Sequence, residues 1–386
     1  MKMFNQLTSK LMFFGLVSLM AGCSEVEFSK KAESICKTDP SLCPIVTSLK
    51  THTETVYYKQ IDILVVNDNS GSMSVEQESM GDRFPMFISG LADLDYRIGM
   101  ITTDVQSNPD NNVTKPANGW GTYWNGQLLS FDSSGTKFLT PQTANVVDKF
   151  RNTVKRPETV ACDNSGYNPL HCPSGDERGI SATNKLIDAN PNGFLRSSAH
   201  LAVIVLSDEN TRSNGGSVSG KPIENSDRVE TLVSKMNTKF GGKKTFSVHS
   251  IVVQPGDTSC FSQQDQQTGA TPMRAYYGYD FARLSSAGID IRSLGPILPG
   301  IKGTICASDY GAQLTQIAEK AKSYAEPIQL KCFPADDEFG NSTLKVTFEP
   351  MPIPPVGYSV NASTNVLELS GLVPVNTKIT LSYKCP

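Results

Sequence analysis

Three oxygen-bearing side chains stand at every second position directly after a run of apolar residues. The run covers residues 61–67, and the side chains are those of Asp68, Ser70 and Ser72 in the string DNSGSM. A turn at this place could aim one carboxylate and two hydroxyls at a single point. Hard divalent cations such as Mg²⁺ prefer oxygen ligands in near-octahedral geometry. The spacing therefore predicts a cation site, and the alternative is that these side chains only cap the helix that follows.

The elements that must position this turn follow from the hydrophobic pattern. The string IDILVVN at residues 61–67 is nearly all apolar, which is typical of a strand buried on both faces of a parallel sheet. Alternation of such strands with helices predicts an α/β fold with a doubly wound, mostly parallel sheet. Ligands of open sheets of this kind bind outside the carboxyl ends of the strands. Further strands are predicted at residues 96–102, 201–207 and 246–253, and helices at residues 75–90, 144–155, 179–189, 227–240 and 310–324.

The DNSGSM string resembles the DxSxS motif of the metal-ion-dependent adhesion site in von Willebrand factor A domains. The resemblance covers roughly residues 58–324. It implies that Asp208, which follows the apolar run 201–207, is an outer carboxylate that acts through water. It also implies a bound divalent cation, with Mg²⁺ expected and Mn²⁺ or Ca²⁺ as alternatives. Few direct carboxylates would leave this cation electron-poor and able to accept a carboxylate from a protein partner.

A third ligand segment is expected in the loop at residues 173–179. Most members of the family offer a threonine here, but this loop contains none, and Glu177 is the best replacement, with Asp176 behind it. A carboxylate at this place would make the site more anionic and would favour Ca²⁺ or Mn²⁺. The alternative is that both acids complement the N-terminus of the next helix. Asp104, at the end of the second core strand, is expected either to accept a hydrogen bond from a group that binds the cation or to form a turn.

Two segments depart from this alternating pattern. A hairpin is predicted from residues 127–131 and 136–140 as an insertion after the second core strand. After residue 327, short runs alternate apolar with polar residues between Pro and Gly, which predicts a small antiparallel, β-sandwich-like domain at residues 325–386. Its strands are expected at residues 328–332, 344–348, 366–369 and 378–383.

The N-terminus predicts export. Residues 1–22 combine two lysines with a short apolar run, as in a signal peptide. The string LMAGC ending at Cys23 resembles the bacterial lipobox, which implies lipidation of Cys23, a membrane anchor and a bacterial envelope location. Ser24 resembles the residue that sorts lipoproteins to the outer membrane, and residues 23–57 would be a tether. Loss of the two lysines takes the net charge from -3 to -5, so nucleic acid is not an expected partner.

The nine cysteines are an odd number, but lipidation of Cys23 leaves eight. An even set in an exported chain predicts disulfides, with free buried thiols as the alternative. Close spacing favours two pairs, two cysteines bracket the last segment, and the remaining two are left to each other. These pairs are Cys36 with Cys43, Cys162 with Cys172, Cys332 with Cys385, and Cys260 with Cys306.

Three functions are compatible with the sequence. The leading one is cation-dependent protein adhesion or assembly at the cell envelope, without catalysis. The second is a structural subunit of an envelope complex, in which the cation site is vestigial or only stabilises the fold. The third, a hydrolase that uses the cation to activate water, is disfavoured because no positioned general base is evident and the four histidines are dispersed.

Overall fold

A computed structural model gives the fold of the chain. It describes residues 49–57, 59–105, 124–165, 172–173, 175–197, 199–217, 221–242, 244–265, 275–325, 328–370, 373 and 377–385. Cys23, Cys36 and Cys43 lie outside the described residues, as do the proposed signal segment and most of the tether.

Twelve strands lie in the described part of the chain and form three sheets. The largest sheet is parallel and has the order β3-β2-β4-β5-β6, with β7 also paired to β5. Every residue of β2 and β4 is buried, because helices cover both faces of this sheet. The strands are β1 (Lys50–Tyr57), β2 (Gln60–Asn67), β3 (Asp95–Thr102), β4 (His200–Ser207), β5 (Phe246–Val252), β6 (Ile297–Leu298), β7 (Lys302–Thr304), β8 (Ile328–Gln329), β9 (Lys345–Glu349), β10 (Gly357–Asn361), β11 (Val366–Ser370) and β12 (Lys378–Cys385).

Helices flank the parallel sheet on both sides. Alternate side chains of β2 enter different cores: Ile63 packs with α1, α2 and α8 on one face, and Leu64 packs with α4, α5 and α7 on the other. This confirms the predicted doubly wound α/β class. None of the helices in the described residues is long and apolar enough to cross a membrane. The longer helices are α1 (Ser74–Gly90), α2 (Val146–Val154), α3 (Pro157–Ser165), α4 (Gly179–Ala189), α5 (Val229–Phe240), α6 (Thr258–Asp265), α7 (Tyr279–Ser286) and α8 (Tyr310–Ala325), and single turns lie at Gly71–Met73, Pro191–Gly193, Arg212–Gly215, Asn225–Asp227 and Ile289–Arg292.

The register of the sheet decides which residues meet at its edge. Asn67, the last residue of β2, pairs with Thr102 of β3 and with Leu206 of β4. The three central strands therefore end at the same level. Residues that directly follow these strands lie side by side at the carboxyl edge, where the sequence placed the candidate ligands.

The predicted hairpin at residues 127–140 is wrong in its pairing. The chain does reverse there, because Phe131 N–H donates to Thr136 O at 2.8 Å, but neither arm forms a strand. Instead, Leu129 N–H donates to Met100 O at 2.9 Å, and Leu139 exchanges two backbone hydrogen bonds with Ile98. Backbone groups that would have paired with each other in a hairpin thus form hydrogen bonds with the edge of β3 instead.

The C-terminal part contains two small antiparallel sheets, β1-β12-β9 and β10-β11-β8, around one apolar cluster. β1 lies in the segment that the sequence assigned to the tether, and it pairs with β12 along its whole length. Three disulfides are formed as expected: Cys162 with Cys172, Cys260 with Cys306, and Cys332 with Cys385.

Candidate metal centre

The DNSGSM turn brings its three oxygen-bearing side chains together. Asp68 follows β2 directly, and its Oδ1 accepts the backbone N–H of Ser70 at 2.9 Å. The hydroxyls of Ser70 and Ser72 lie 3.0 Å apart. The capping alternative is wrong, because no side chain makes a capping hydrogen bond at the turn Gly71–Met73 or at α1. The turn instead brings the hydroxyls of Ser70 and Ser72 together just beyond the end of β2.

Residues at the ends of the neighbouring strands β3 and β4 also donate hydrogen bonds to the Asp68 carboxylate. Ser207, the last residue of β4, donates its hydroxyl to Asp68 Oδ2 at 2.6 Å. Thr103, just after β3, donates a longer hydrogen bond of 3.4 Å to Oδ1. The carboxylate is fully buried and fixed by groups from all three central strands. Its position is therefore set before any ligand arrives.

Asp208 lies beside this turn, as the sequence predicted. Its side chain receives a hydrogen bond from Ser72, and Asp68 is the charged group that acts most strongly on it. Only 1% of the residue is exposed, and Oδ1 has no hydrogen-bond partner among the described residues. A buried carboxylate oxygen without a partner is costly, so Asp208 is satisfied either by holding a proton or by a positively charged ligand.

Glu177 also reaches the site. Its backbone forms a bridge with Asp104, and after burial it is the group that raises the pKa of Asp68 most. Ser213 donates its hydroxyl to Glu177 Oε2 at 3.0 Å, whereas Oε1 has no partner among the described residues. Glu177 directly precedes Arg178, the N-cap of α4, and the first turn of α4 contains no acidic residue.

Sequence reasoning missed two residues of this edge, Glu209 and Thr211. The side chain of Glu209 is hydrogen-bonded to that of Glu177, and its Oε2 lacks a partner in the described structure. The hydroxyl of Thr211 is likewise buried without a partner there. The acidic pair after β4 was the available signal for Glu209. Nothing in the sequence marked Thr211 as buried.

The two remaining candidates have other contacts. Asp176 forms an ion pair of 2.9 Å with Arg212, whose side chain is fully buried. Asp104 is buried, and its backbone bonds to Asn125 and to Glu177 across the bridge. Both residues support the loops around the site. Arg212 has a φ of 56°, in the left-handed region, so the loop after β4 is also under local strain.

Burial and mutual repulsion govern the charges of the acidic cluster. Burial, then the nearby Glu177, raises the pKa of Asp68 to about 7. Burial and Asp68 raise the pKa of Asp208 well above its ordinary value, and burial and Glu177 do the same for Glu209. By contrast, the adjacent Asp227 is paired with Arg178 at 2.8 Å. The raised pKa values mean that joint ionisation of Asp68, Asp208 and Glu209 is unfavourable unless a positively charged ligand is bound among them.

The pH dependence of stability should report the raised pKa of Asp68. An acid with a raised folded-state pKa favours folding while it is protonated, and this contribution is lost as the pH rises from about 4 to about 7. In EDTA, the unfolding free energy of the wild type minus that of Asp68→Asn should fall across this range. The difference removes the opposite contribution of His200 and His249, whose pKa values burial lowers. A difference that rises with pH in urea titrations would contradict the assignment.

The residues present fit a divalent cation if hydroxyls are counted among its ligands. Within the described ranges, no three His, Cys, Asp or Glu side chains are arranged to hold a metal by themselves. The predicted set combines the carboxylates of Asp68, Asp208 and Glu177 with the hydroxyls of Ser70 and Ser72. The orphaned Asp208 Oδ1 in a buried, negatively charged edge is the specific observation in favour of a cation.

No family model and no curated protein matches this sequence. Among solved structures, the pilus adhesin SpaC from Lactobacillus rhamnosus GG in its open conformation is 11% identical with a TM-score of 0.37, over 87% of this chain and 40% of that one. Manganese-loaded TRAP protein of Plasmodium vivax is 14% identical with a TM-score of 0.27, over 63% and 78%.

Proximal thread matrix protein 1 from the mussel byssus, with a zinc-occupied MIDAS motif, is 10% identical with a TM-score of 0.32, over 73% of this chain and 52% of that one. This chain thus spans about two fifths of the SpaC chain and about half of the mussel protein. Because the identities and TM-scores are low, no statement about the function of this chain rests on these likenesses.

Proposed function

We propose that the chain binds a divalent cation at the carboxyl edge of its parallel sheet and uses it to hold a protein partner. The observation that carries the proposal is the buried Asp208 Oδ1, which has no partner in the described structure and lies next to Asp68 and Ser72. Asp68, Ser70 and Ser72 would hold the cation, with Asp208 as the outer carboxylate. Mg²⁺ suits this set, and the nearby Glu177 would favour Mn²⁺ or Ca²⁺.

The chain contributes a preorganised and water-poor setting. Ser70 N–H and the Ser207 hydroxyl fix both oxygens of Asp68, so little ordering is left for the binding step. When bound, the cation supplies a coordination position for a carboxylate of the partner. Adhesion or assembly would then depend on the cation and on one acidic side chain of the other protein.

A second candidate function is a purely structural subunit of an envelope complex. The observation that favours it is the presence of two further carboxylates at the same edge: Glu177 is buried, and Glu209, although partly exposed, has an enclosed Oε2. If these groups completed the coordination themselves, no position would remain for a partner. The cation would then only stabilise the fold, as in closed structural sites.

Water proton relaxation with Mn²⁺ separates these two functions. Adhesion predicts that Mn²⁺ bound to the protein enhances water relaxation, because an exchangeable position is open, and that added acetate lowers the enhancement. The structural function predicts binding of Mn²⁺ without enhancement. Absence of Mn²⁺, Mg²⁺ and Ca²⁺ binding would contradict cation-dependent adhesion and would leave the structural subunit with a vestigial site.

We also propose that the protein is lipid-anchored in a bacterial envelope, at the outer membrane, and that it is not an enzyme. The lipobox-like string before Cys23 supports the anchor. The chemistry of the histidines supports the absence of catalysis: His200 and His249 are buried and share the hydroxyl of Ser247 within the sheet. His200 pairs with Ile61, at the opposite end of β2 from Asp68. Mass spectrometry of the membrane fraction should detect acylated Cys23.

A further inference from the structure

Helix α3 supports the DNSGSM turn through groups of the turn that are not themselves candidate cation ligands. Thr159 donates its hydroxyl to Asn69 O at 2.7 Å, and Asn69 Nδ2 donates to Glu158 Oε1 at 3.2 Å. Gln77 Nε2 donates both to Asp68 O at 2.7 Å and to the Thr159 hydroxyl at 3.1 Å. The backbone carbonyls of Asp68 and Asn69 are therefore bound to α3 or to a side chain that α3 holds.

A disulfide-bonded cysteine of α3, Cys162, lies directly against the same turn. A Cβ placed on Gly71 would lie 2.6 Å from Cys162 Sγ and 3.2 Å from Cys162 Cβ. Real Cβ atoms do not approach other atoms so closely, so only glycine fits between Ser70 and Ser72 while this sulfur is in place. One residue after Cys162, Asp163 accepts a hydrogen bond of 2.6 Å from Ser74.

The other half of this disulfide leads into the second part of the site. Cys172 is buried and stands five residues before Glu177 in the chain. Glu177 in turn bridges to Asp104 and acts on Asp68. The Cys162–Cys172 bond therefore joins the helix that supports the ligand turn to the segment that delivers Glu177.

We propose that the Cys162–Cys172 disulfide and Thr159 are positioning elements of the cation site, which fix the DNSGSM turn and the Glu177 segment relative to each other. This rests on the proposed function, because it assigns a role toward the same cation. Groups that hold ligands in place without touching the metal commonly matter as much for affinity as a weak ligand does. The disulfide joins Cys172 to α3 across 10 residues of the chain, and α3 in turn contacts the DNSGSM turn, which lies about 100 positions before Glu177. This connection reduces the ordering that cation binding would otherwise require.

The test is titration of Mn²⁺ into the full chain with Cys162→Ala and Cys172→Ala. We expect the Kd for Mn²⁺ to rise between about 10-fold and 100-fold. The matched control is Cys332→Ala with Cys385→Ala, which removes a disulfide of the C-terminal part and should leave the Kd within twofold of the wild type. Equal affinity of both variants and the wild type would overturn the proposal.

A second variant covers the case in which loss of the disulfide prevents folding. Thr159→Val keeps the shape of the side chain but removes its hydrogen bonds to Asn69 and Gln77, and we expect the Kd to rise about 10-fold. Thr183→Val is the control, because that buried hydroxyl bonds only to Gly179 O within its own helix. Unchanged affinity in Thr159→Val would contradict the role of Thr159.

Hydrogen exchange of the metal-free proteins provides a measurement that does not depend on the cation. Amides of residues 68–76 should exchange faster in the variant that lacks the Cys162–Cys172 bond than in the wild type, whereas the Cys332 and Cys385 control should not change them. If the wild type binds no cation, the proposed function fails while this measurement still tests positioning. Unchanged exchange in residues 68–76 would overturn the positioning role itself.

Discussion

Replacing Asp68 by asparagine should abolish the stabilisation of the protein by divalent cations. An ion that binds only the folded state stabilises it by about 2.7 kcal/mol when its concentration is 100 times its Kd. Asparagine keeps the size of the side chain and an acceptor for Ser207, but it removes the charge that the cation needs. Without cation, the variant should be more stable than the wild type near pH 7.5, because Asp68 is buried among Asp208 and Glu177.

The measurement is urea unfolding of both proteins in EDTA and in excess Mg²⁺, Mn²⁺ or Ca²⁺. The wild type should gain stability with at least one cation, and the variant should not. A variant that is less stable than the wild type in EDTA would contradict the interpretation of Asp68 as an uncompensated charge. A variant that keeps the full cation response would remove Asp68 from the site.

For Asp62→Asn, in the first half of β2, we expect a loss of stability and an unchanged response to cations, the opposite of the result for Asp68→Asn. Asp62 is also fully buried, but its carboxylate binds Lys244 Nζ at 2.7 Å and Arg196 Nε at 2.8 Å. Removing one member of a buried ion pair leaves its partner charge uncompensated and costs about 3–5 kcal/mol. Asp62→Asn should therefore lower the unfolding free energy by about this amount while the gain from cations remains.

These two variants control for each other, because they make the same chemical change at opposite ends of β2. The same urea titrations report both values. If Asp62→Asn were neutral, the network of Lys244 and Arg196 would contribute nothing measurable. If it abolished the cation response without unfolding the protein, the separation of a structural end and a ligand end of the sheet would be wrong.

The fold of the parallel sheet could be predicted from the sequence because its strands are strongly apolar. The string IDILVVN gave the position of β2 to within one residue, and α4 was predicted with its observed ends. Elements that depend on distant partners could not be predicted. β1 is a strand because it pairs with β12, more than 300 residues away, and α3 has almost no amphipathic periodicity in PETVACDNS.

The candidate site was predictable where local spacing encodes it. Asp68, Ser70 and Ser72 lie in one turn, and Asp208 ends the adjacent strand, so a motif and one strand register are enough to bring them together. Glu209, Thr211 and the contact of Cys162 with Gly71 arise from tertiary packing of loops. Spacing along the chain contains no information about which loop residues become buried.

The central claim is that the carboxyl edge of the sheet binds a divalent cation through Asp68 and Asp208. Calorimetric titration of Mg²⁺, Mn²⁺ and Ca²⁺ into the purified wild type and into Asp208→Asn tests it most directly. We predict one saturable site in the wild type for at least one of these cations, and binding that is weakened or absent in Asp208→Asn. No heat and no saturable binding with any of the three cations, in a folded wild-type protein, would contradict the claim.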